Sequence, residues 1–305
     1  MLGFILKRLA LSVLVVAVVS VVAFSLVYLS GDPAAAMAGE GATQADVAAV
    51  RATYGFDRPL YAQYGSWLRN VMHGDFGRSY YLREPVSYVL EQHFPITAKL
   101  GISALLFALL LSVPLGVLAA LRPNTLIDRI ALAIAVAGQA MPSFLFGLGL
   151  IYVFGVKLGW LPFAGASSWD HFILPAIALG YYATPVIMRL TRSGMMDALQ
   201  SDHVRTARAY GLSTWRVVIK HALRHAIMPV LALSAVQLGF MLGGSIIIET
   251  VFSMKGLGYL AWMSIQRSDL QVIQAILLVI ATLYALLTLL ADLLNAFLDP
   301  RLRKR

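Results

Sequence analysis

Six nearly uncharged stretches constrain this chain more than any other feature: Leu9–Leu29, Leu100–Leu121, Ile130–Val156, Phe172–Met188, Ala226–Ile248 and Gln271–Ala291. A helix needs about 20 apolar residues to cross roughly 30 Å of hydrocarbon. Five stretches reach that length, and the fourth lies at the short end of the range. In lipid only helices and closed barrels satisfy every backbone group, and runs this long are helices. Composition agrees: of 305 residues 59% are hydrophobic and only 13% charged, whereas about a quarter are charged in a soluble domain. The expected fold is an all-α integral membrane protein with six transmembrane helices. It forms one domain over 1–305, with spans at about 9–29, 100–121, 130–156, 172–192, 226–250 and 271–295. An outer segment, 31–97, lies on one side and a loop, 193–225, on the other.

The first apolar run, preceded by Lys7 and Arg8, is longer than the roughly 7–15 residues of an export signal, so an uncleaved first span is expected. The chain has no cysteine, which excludes disulfides and thiolate metal sites. Its net charge of +9 follows topology rather than nucleic acid. With the N-terminus inside, cytoplasmic segments hold Lys7, Arg8, Arg122, Arg129, Arg189, Arg192, Arg205, Arg208, Arg216, Lys220, Arg224, Arg301, Arg303, Lys304 and Arg305. That is most of the 24 basic residues, as the positive-inside rule requires.

In the outer segment, "TQADVAAVRATYGF" has helical spacing with Thr43 as N-cap, and "RPLYAQYGSWLRNVMHGDFG" forms a second short helix. Its aromatics Tyr61, Tyr64, Trp67 and Phe76 suit a membrane interface. Pro114, Pro142, Pro175 and Pro185 punctuate the spans, where each removes a backbone donor and kinks or opens its helix. Gln139 and Gln237 lie deep in spans three and five. Glu249 and Asp292 fall near span ends, where water is expected to reach them, and no midplane proton relay or sodium cage is visible. The six lysines are followed by Arg, Leu, Leu, His, Gly and Arg. No Walker A phosphate loop is therefore possible. His221 and His225 are spaced i, i+4 but lack a third ligand, so no metal, cofactor or catalytic site is expected.

One basic elbow, "HVRTARAYGLSTWRVVIKHALRHAIMPV" (203–230), interrupts the hydrocarbon. Asp202 is expected to cap a short helix and Gly211 to end it in left-handed geometry; Ser213 caps the next. There Arg216, Lys220 and Arg224 line one face. Three readings compete: a solvated basic loop near anionic lipid, a DNA-binding helix-turn-helix, and a docking helix projecting from the membrane into a partner's groove. The small residues Thr206, Ala207, Ala209 and Gly211 favour close approach to a partner.

"DHVRTARAYGLSTWRVVIKHALRHAIMPV" resembles the cytoplasmic EAA-loop signature of permease subunits of binding-protein-dependent ABC importers, in the dipeptide, oligopeptide and nickel permease family. The signature's E-A-A and Gly fall on Arg205, Thr206, Ala207 and Gly211. His203 and Tyr210 depart from the family's usual Tyr and Lys. The resemblance extends through "LKRLALSVLVV", "SGDPA", "YGFDRPLYAQYGSWLRNVMHGDFGRSY", "ETVFSMKGLGYLAWMSIQRSDLQVIQA" and "DLLNAFLDPRLRKR". Met254-Lys255 departs from the usual apolar residue and proline before Gly-Leu-Gly.

The resemblance implies the type I ABC importer permease fold. It also implies a multi-pass place in the bacterial inner membrane, with both termini cytoplasmic. Partners would be two ATP-binding subunits, a second homologous permease forming a heterodimer, and a periplasmic or extracellular solute-binding protein. The elbow's first short helix would be the coupling helix, with Asp202, Arg205, Thr206, Ala207 and Gly211 contacting the ATPase or forming the turn. The cargo implied is di- or oligopeptide, with nickel, glutathione or another small solute as alternatives. From the residues alone, an ion-coupled carrier is the competing class.

Overall fold

A computed structural model describes residues 2–29, 31–39 and 41–298; the basic tail at 301–305 lies outside the described residues. Helices α1 (Leu2–Leu29), α2 (Pro33–Ala38), α3 (Gln44–Tyr54), α4 (Leu60–Met72), α5 (Val86–Leu121), α6 (Leu126–Ala137), α7 (Ser143–Leu150) and α8 (Ile173–Gly180) come first. Then follow α9 (Thr184–Gln200), α10 (Asp202–Ala209), α11 (Thr214–Arg216), α12 (Leu223–Gly244), α13 (Ile246–Val251), α14 (Leu257–Gln266) and α15 (Leu270–Leu298). Among the described residues no strand forms. Among those residues five helical runs are long and apolar enough to cross a membrane: Gly3–Leu29, Val86–Leu121, Trp169–Gln200, Thr214–Gly244 and Leu270–Phe297.

Spans three and four are interrupted. Where one span was expected over 130–156, α6 ends at Ala137, and Pro142 stands at the N-cap of α7. A proline ring cannot continue the preceding helix but can open a new one. α7 then runs directly into a π-helical turn, Ile151–Lys157. The fourth span joins α8 to α9 through a 3-10 turn at Tyr181–Ala183, with Pro185 in the first turn of α9. It also outruns its expected end at 192, because α9 continues to Gln200. α5 begins at Val86 rather than near 100. Its polar first turns bury Val86, Val89 and Leu90 against Leu257, Leu260, Val272 and Ile276.

The bundle packs around α5, where Gly101, Ala104, Ala108, Ser112, Gly116 and Ala120 form a buried stripe of small residues at helical spacing. Small side chains let membrane helices approach closely when no water drives them together. At Gly116 an added Cβ would lie 2.8 Å from the Met188 carbonyl oxygen of α9; at Gly180 it would lie 2.2 Å from that of Ala104. On the opposite face Leu106 and Leu110 stay exposed, which suits lipid.

The outer segment forms the two expected helices. Thr43 caps α3 in a full capping box with Asp46, whose carboxyl is held below its usual range by the Thr43 hydroxyl. Tyr64 and Trp67 of α4 pack on Phe24 of α1, with ring centroids 5.4 and 5.7 Å away. Tyr61 is exposed.

Glu249 corrects an expectation. Its place near a span end predicts access to water, but the side chain is fully buried. Its carboxylate accepts from the Thr97 hydroxyl (2.7 Å), the Ser245 hydroxyl (2.7 Å) and the Tyr259 N–H (2.9 Å). The Thr97 oxygen in turn accepts from the Leu257 N–H at 2.7 Å. α5, α13 and α14 are thereby tied together. Nearby, buried Asp269 accepts from the Ser79 hydroxyl and from the Tyr80 and Tyr81 N–H groups, both at 3.2 Å. That carboxylate clips the outer segment to the start of α15. Asp292, at the other end of α15, pairs with Arg8 of α1 at 2.8 Å.

Candidate coupling elbow

α9 delivers the chain to Ser201, which turns it in extended geometry (φ −71°, ψ 154°) and stands as the N-cap of α10. Asp202 is therefore the first helical residue rather than the cap, and the Ser201 side chain makes no capping hydrogen bond. Asp and Glu belong in a first turn, where they meet the positive end of the helix dipole.

α10 is two-faced. Val204 and Ala207 are buried in a cluster with Val117, Ala120, Met195, Ala198, Val217, Val218 and Ala222. That cluster seats the short helix on α5, α9 and the elbow's second helix. Ala207 therefore packs inward. Asp202, Arg205 and Thr206 are exposed on the opposite side. Asp202 and Arg205 meet at 3.3 Å, with side chains 95% and 79% exposed, a contact worth little in water.

Gly211 ends the helix as expected. Its φ is +73°, the left-handed region that costs other residues about 1 kcal/mol or more. The Leu212 N–H bonds the Ala207 carbonyl (3.3 Å) and the Gly211 N–H bonds that of Arg208 (2.9 Å). This is a Schellman closure, with Leu212 packing against the same apolar cluster. An added Cβ at Gly211 would meet nothing within 4 Å, so glycine serves conformation there, not space.

Ser213 precedes α11 but its side chain makes no capping bond. Val217–Ala222 then form a π-helical turn that leads into α12. Val217, Val218 and Ala222 face in, and Arg216, Lys220 and Arg224 are all exposed. The rings of His203 and His225 lie 4.6 Å apart. Among the described residues no three potential ligands gather around a metal.

One contact at this end was not foreseen. Arg192 of α9 forks onto Asp128 of α6, Nε to Oδ1 at 2.8 Å and the terminal nitrogen to Oδ2 at 2.7 Å. The Asn124 N–H adds a bond to Oδ2 at 2.9 Å. The Arg192 hydrogen bond, then that N–H, hold the Asp128 carboxyl below its usual range. The loop between spans two and three is thus fastened to α9 just ahead of the elbow. The available signal was one acid, Asp128, among several arginines (Arg122, Arg129, Arg189 and Arg192) beside adjacent spans, and only the fold selects Arg192 as its partner.

Residues 112–304 match the family described as "Binding-protein-dependent transport system inner membrane component", and residues 1–101 match its N-terminal counterpart, "Binding-prot-dependent transport system membrane comp, N-term". The chain belongs to this permease family. The permease is 41% identical over 304 residues, covering 99% of both chains, to the glutathione transport system permease protein GsiC of Escherichia coli (strain K12). The same values hold for the proteins of that name from Salmonella typhi and from Shigella flexneri serotype 5b (strain 8401). Among solved structures it resembles the MetNI methionine ABC transporter in an inward-facing conformation. The TM-score is 0.56 at 20% identity, covering 70% of this chain and 97% of that one. This likeness shows the fold, that of an ABC importer permease. The permease is thus a multi-pass inner-membrane component of an importer, not an enzyme, and it works with ATP-binding and solute-binding proteins.

Proposed function

We propose that this permease is one half of a two-permease channel that imports short peptides, with tripeptides of the glutathione kind as leading cargo. The observation that supports the cargo is the 41% identity over 99% of both chains to glutathione permeases. Glutathione is itself a modified tripeptide, so the peptide reading and the glutathione alternative converge on one chemistry; nickel is the less favoured cargo. In this reading both termini and the elbow face the cytoplasm. α10 sits in a groove of an ATP-binding subunit through Asp202, Arg205 and Thr206. Ala207 holds the helix from beneath, and Gly211 sets the turn that returns force to α12. A homologous permease completes the path, and a periplasmic or extracellular solute-binding protein delivers the cargo.

The test is uptake by proteoliposomes holding the permease, its sister permease, the ATP-binding subunits and the solute-binding protein. Saturable, ATP-dependent uptake of labelled glutathione or a dipeptide is the expected result. Nickel uptake without peptide uptake would overturn the cargo. Uptake by the permease alone, driven by an ion gradient, would overturn the importer mechanism.

A further inference from the structure

The interruptions of spans three and four lie side by side. Residue 138 is nine residues past Arg129, and Lys157 is fifteen past residue 142. At 1.5 Å per helical residue these are about 14 and 22 Å, which places the break near the middle of a bilayer. Gln139 donates through Nε2 to the Tyr182 carbonyl at 3.1 Å, joining the break at 138–142 to the 3-10 turn at 181–183. The Tyr181 hydroxyl donates to the Ile134 carbonyl at 2.5 Å, taking up an acceptor left over at the end of α6. Its ring occupies the space above Gly138, where an added Cβ would lie 2.0 Å away. The two breaks are built to fit.

Backbone groups are left open on one side. Gln139 and Ala140 close the last turn of α6 by bonding Val136 and Ala137, and the Pro142 carbonyl accepts from Leu145 and Phe146. Between them, the Met141 N–H and the carbonyls of Gln139, Ala140 and Met141 have no backbone partner among the described residues. Gln139, Ala140, Met141 and Tyr182 are also exposed. Unpaired backbone at membrane depth is not tolerated against lipid, only against protein or a water-filled cavity. This face therefore looks away from lipid.

We propose that the paired breaks line the solute path, with Gln139 and Tyr182 as the side chains that meet the cargo. This rests on the peptide-import reading above. The Gln139 carbonyl oxygen, the Tyr182 hydroxyl and the open carbonyls are uncharged donors and acceptors, matching the N–H and C=O groups of a peptide. With no fixed charge they hold cargo weakly enough to release it.

The chain's lack of cysteine makes the test direct. In the assembled importer, Gln139→Cys, Tyr182→Cys and, as a lipid-facing control, Leu110→Cys are exposed to a charged methanethiosulfonate reagent with and without ATP. Reaction at 139 and 182 but not at 110, slowed several-fold by S-methylglutathione, is expected. No reaction at 139 or 182 in either state would overturn the proposal, as would reaction that the peptide does not slow. Tyr182→Phe, which leaves the bond from Gln139 to the Tyr182 carbonyl in place, should raise the KM for peptide uptake about tenfold; Gln139→Ala should raise it as well and lower the melting temperature slightly by removing that bond. An unaltered KM would also overturn it. Failure of the unmodified complex to take up any peptide would instead count against the cargo reading, because thiol accessibility is read without transport.

Discussion

The two ends of this bundle treat charge in opposite ways. At the end that carries α13 and α14, Glu249 and Asp269 are buried and satisfied by hydroxyl and backbone N–H donors alone. At the elbow end Asp202, Arg205, Arg216, Lys220 and Arg224 stand exposed, and Asp128 and Arg192 form a forked pair. Burying a charge is costly unless it is fully hydrogen-bonded, so these two carboxylates tie the first end together and stiffen it, while Lys255 and Arg267 stay exposed at its surface. The second keeps charge available for something outside the chain. An importer needs both, a firm frame around the path and a handle another protein can move.

The sharpest way to break this contrast is Glu249→Ala. It strands the Thr97 and Ser245 hydroxyls and the Tyr259 N–H in a buried site, each at about 1–3 kcal/mol. A loss of about 3 kcal/mol or more is expected, read as a large drop in the melting temperature of the detergent-solubilised protein. A small drop would mean that this end is not the stiff one.

Next comes the Asp128–Arg192 fork. Asp128→Asn should cost about 2 kcal/mol, within the range for hydrogen bonds to charged groups. The pH dependence has a definite sign. Asp128's folded pKa lies below its unfolded value of about 4, so its contribution is present above that value and lost as pH falls through the folded one. Melting temperatures of wild type and Asp128→Asn should differ from pH 7 down to pH 5 and converge only in stronger acid.

Gly211→Val should cost about 1 kcal/mol from left-handed backbone strain alone, since its Cβ meets nothing. Its larger effect belongs to function: ATP hydrolysis by the reconstituted complex should continue while uptake falls. Uptake that stays in step with hydrolysis would show that the turn does not carry force.

The smallest stability effect belongs to Arg205→Ala, within about 0.5 kcal/mol for an exposed position. Reduced co-purification of the ATP-binding subunits without a change in melting temperature is the expected pattern, and it separates a partner-facing residue from a structural one.

Much of this was legible in the residues. Long hydrocarbon runs define spans because lipid leaves the backbone no alternative, and Thr43, Gly211 and the basic elbow declare their geometry locally. Contacts between distant segments were not legible. Nothing near residue 249 reveals that Thr97, more than 150 positions earlier, satisfies its carboxylate, so its place near a span end read as access to water. Residue type alone does not separate Asp202 from Ser201, an equally good cap that stands one residue before it and takes the position. The break at 138–142 was half visible: Pro142 announced an interruption, but only the fold shows that Tyr181 fills the space over Gly138. Ala207 read as a contact residue because the signature names it, whereas the helix turns it inward.

The most direct measurement is the sidedness and partner of position 205. The single cysteine of Arg205→Cys should react with a membrane-impermeant maleimide in inside-out vesicles and not in right-side-out vesicles. The assembled ATP-binding subunits should shield it. Labelling from the outer face, or labelling that the ATP-binding subunits leave unchanged, would contradict the view that α10 is the handle of an ATP-driven importer.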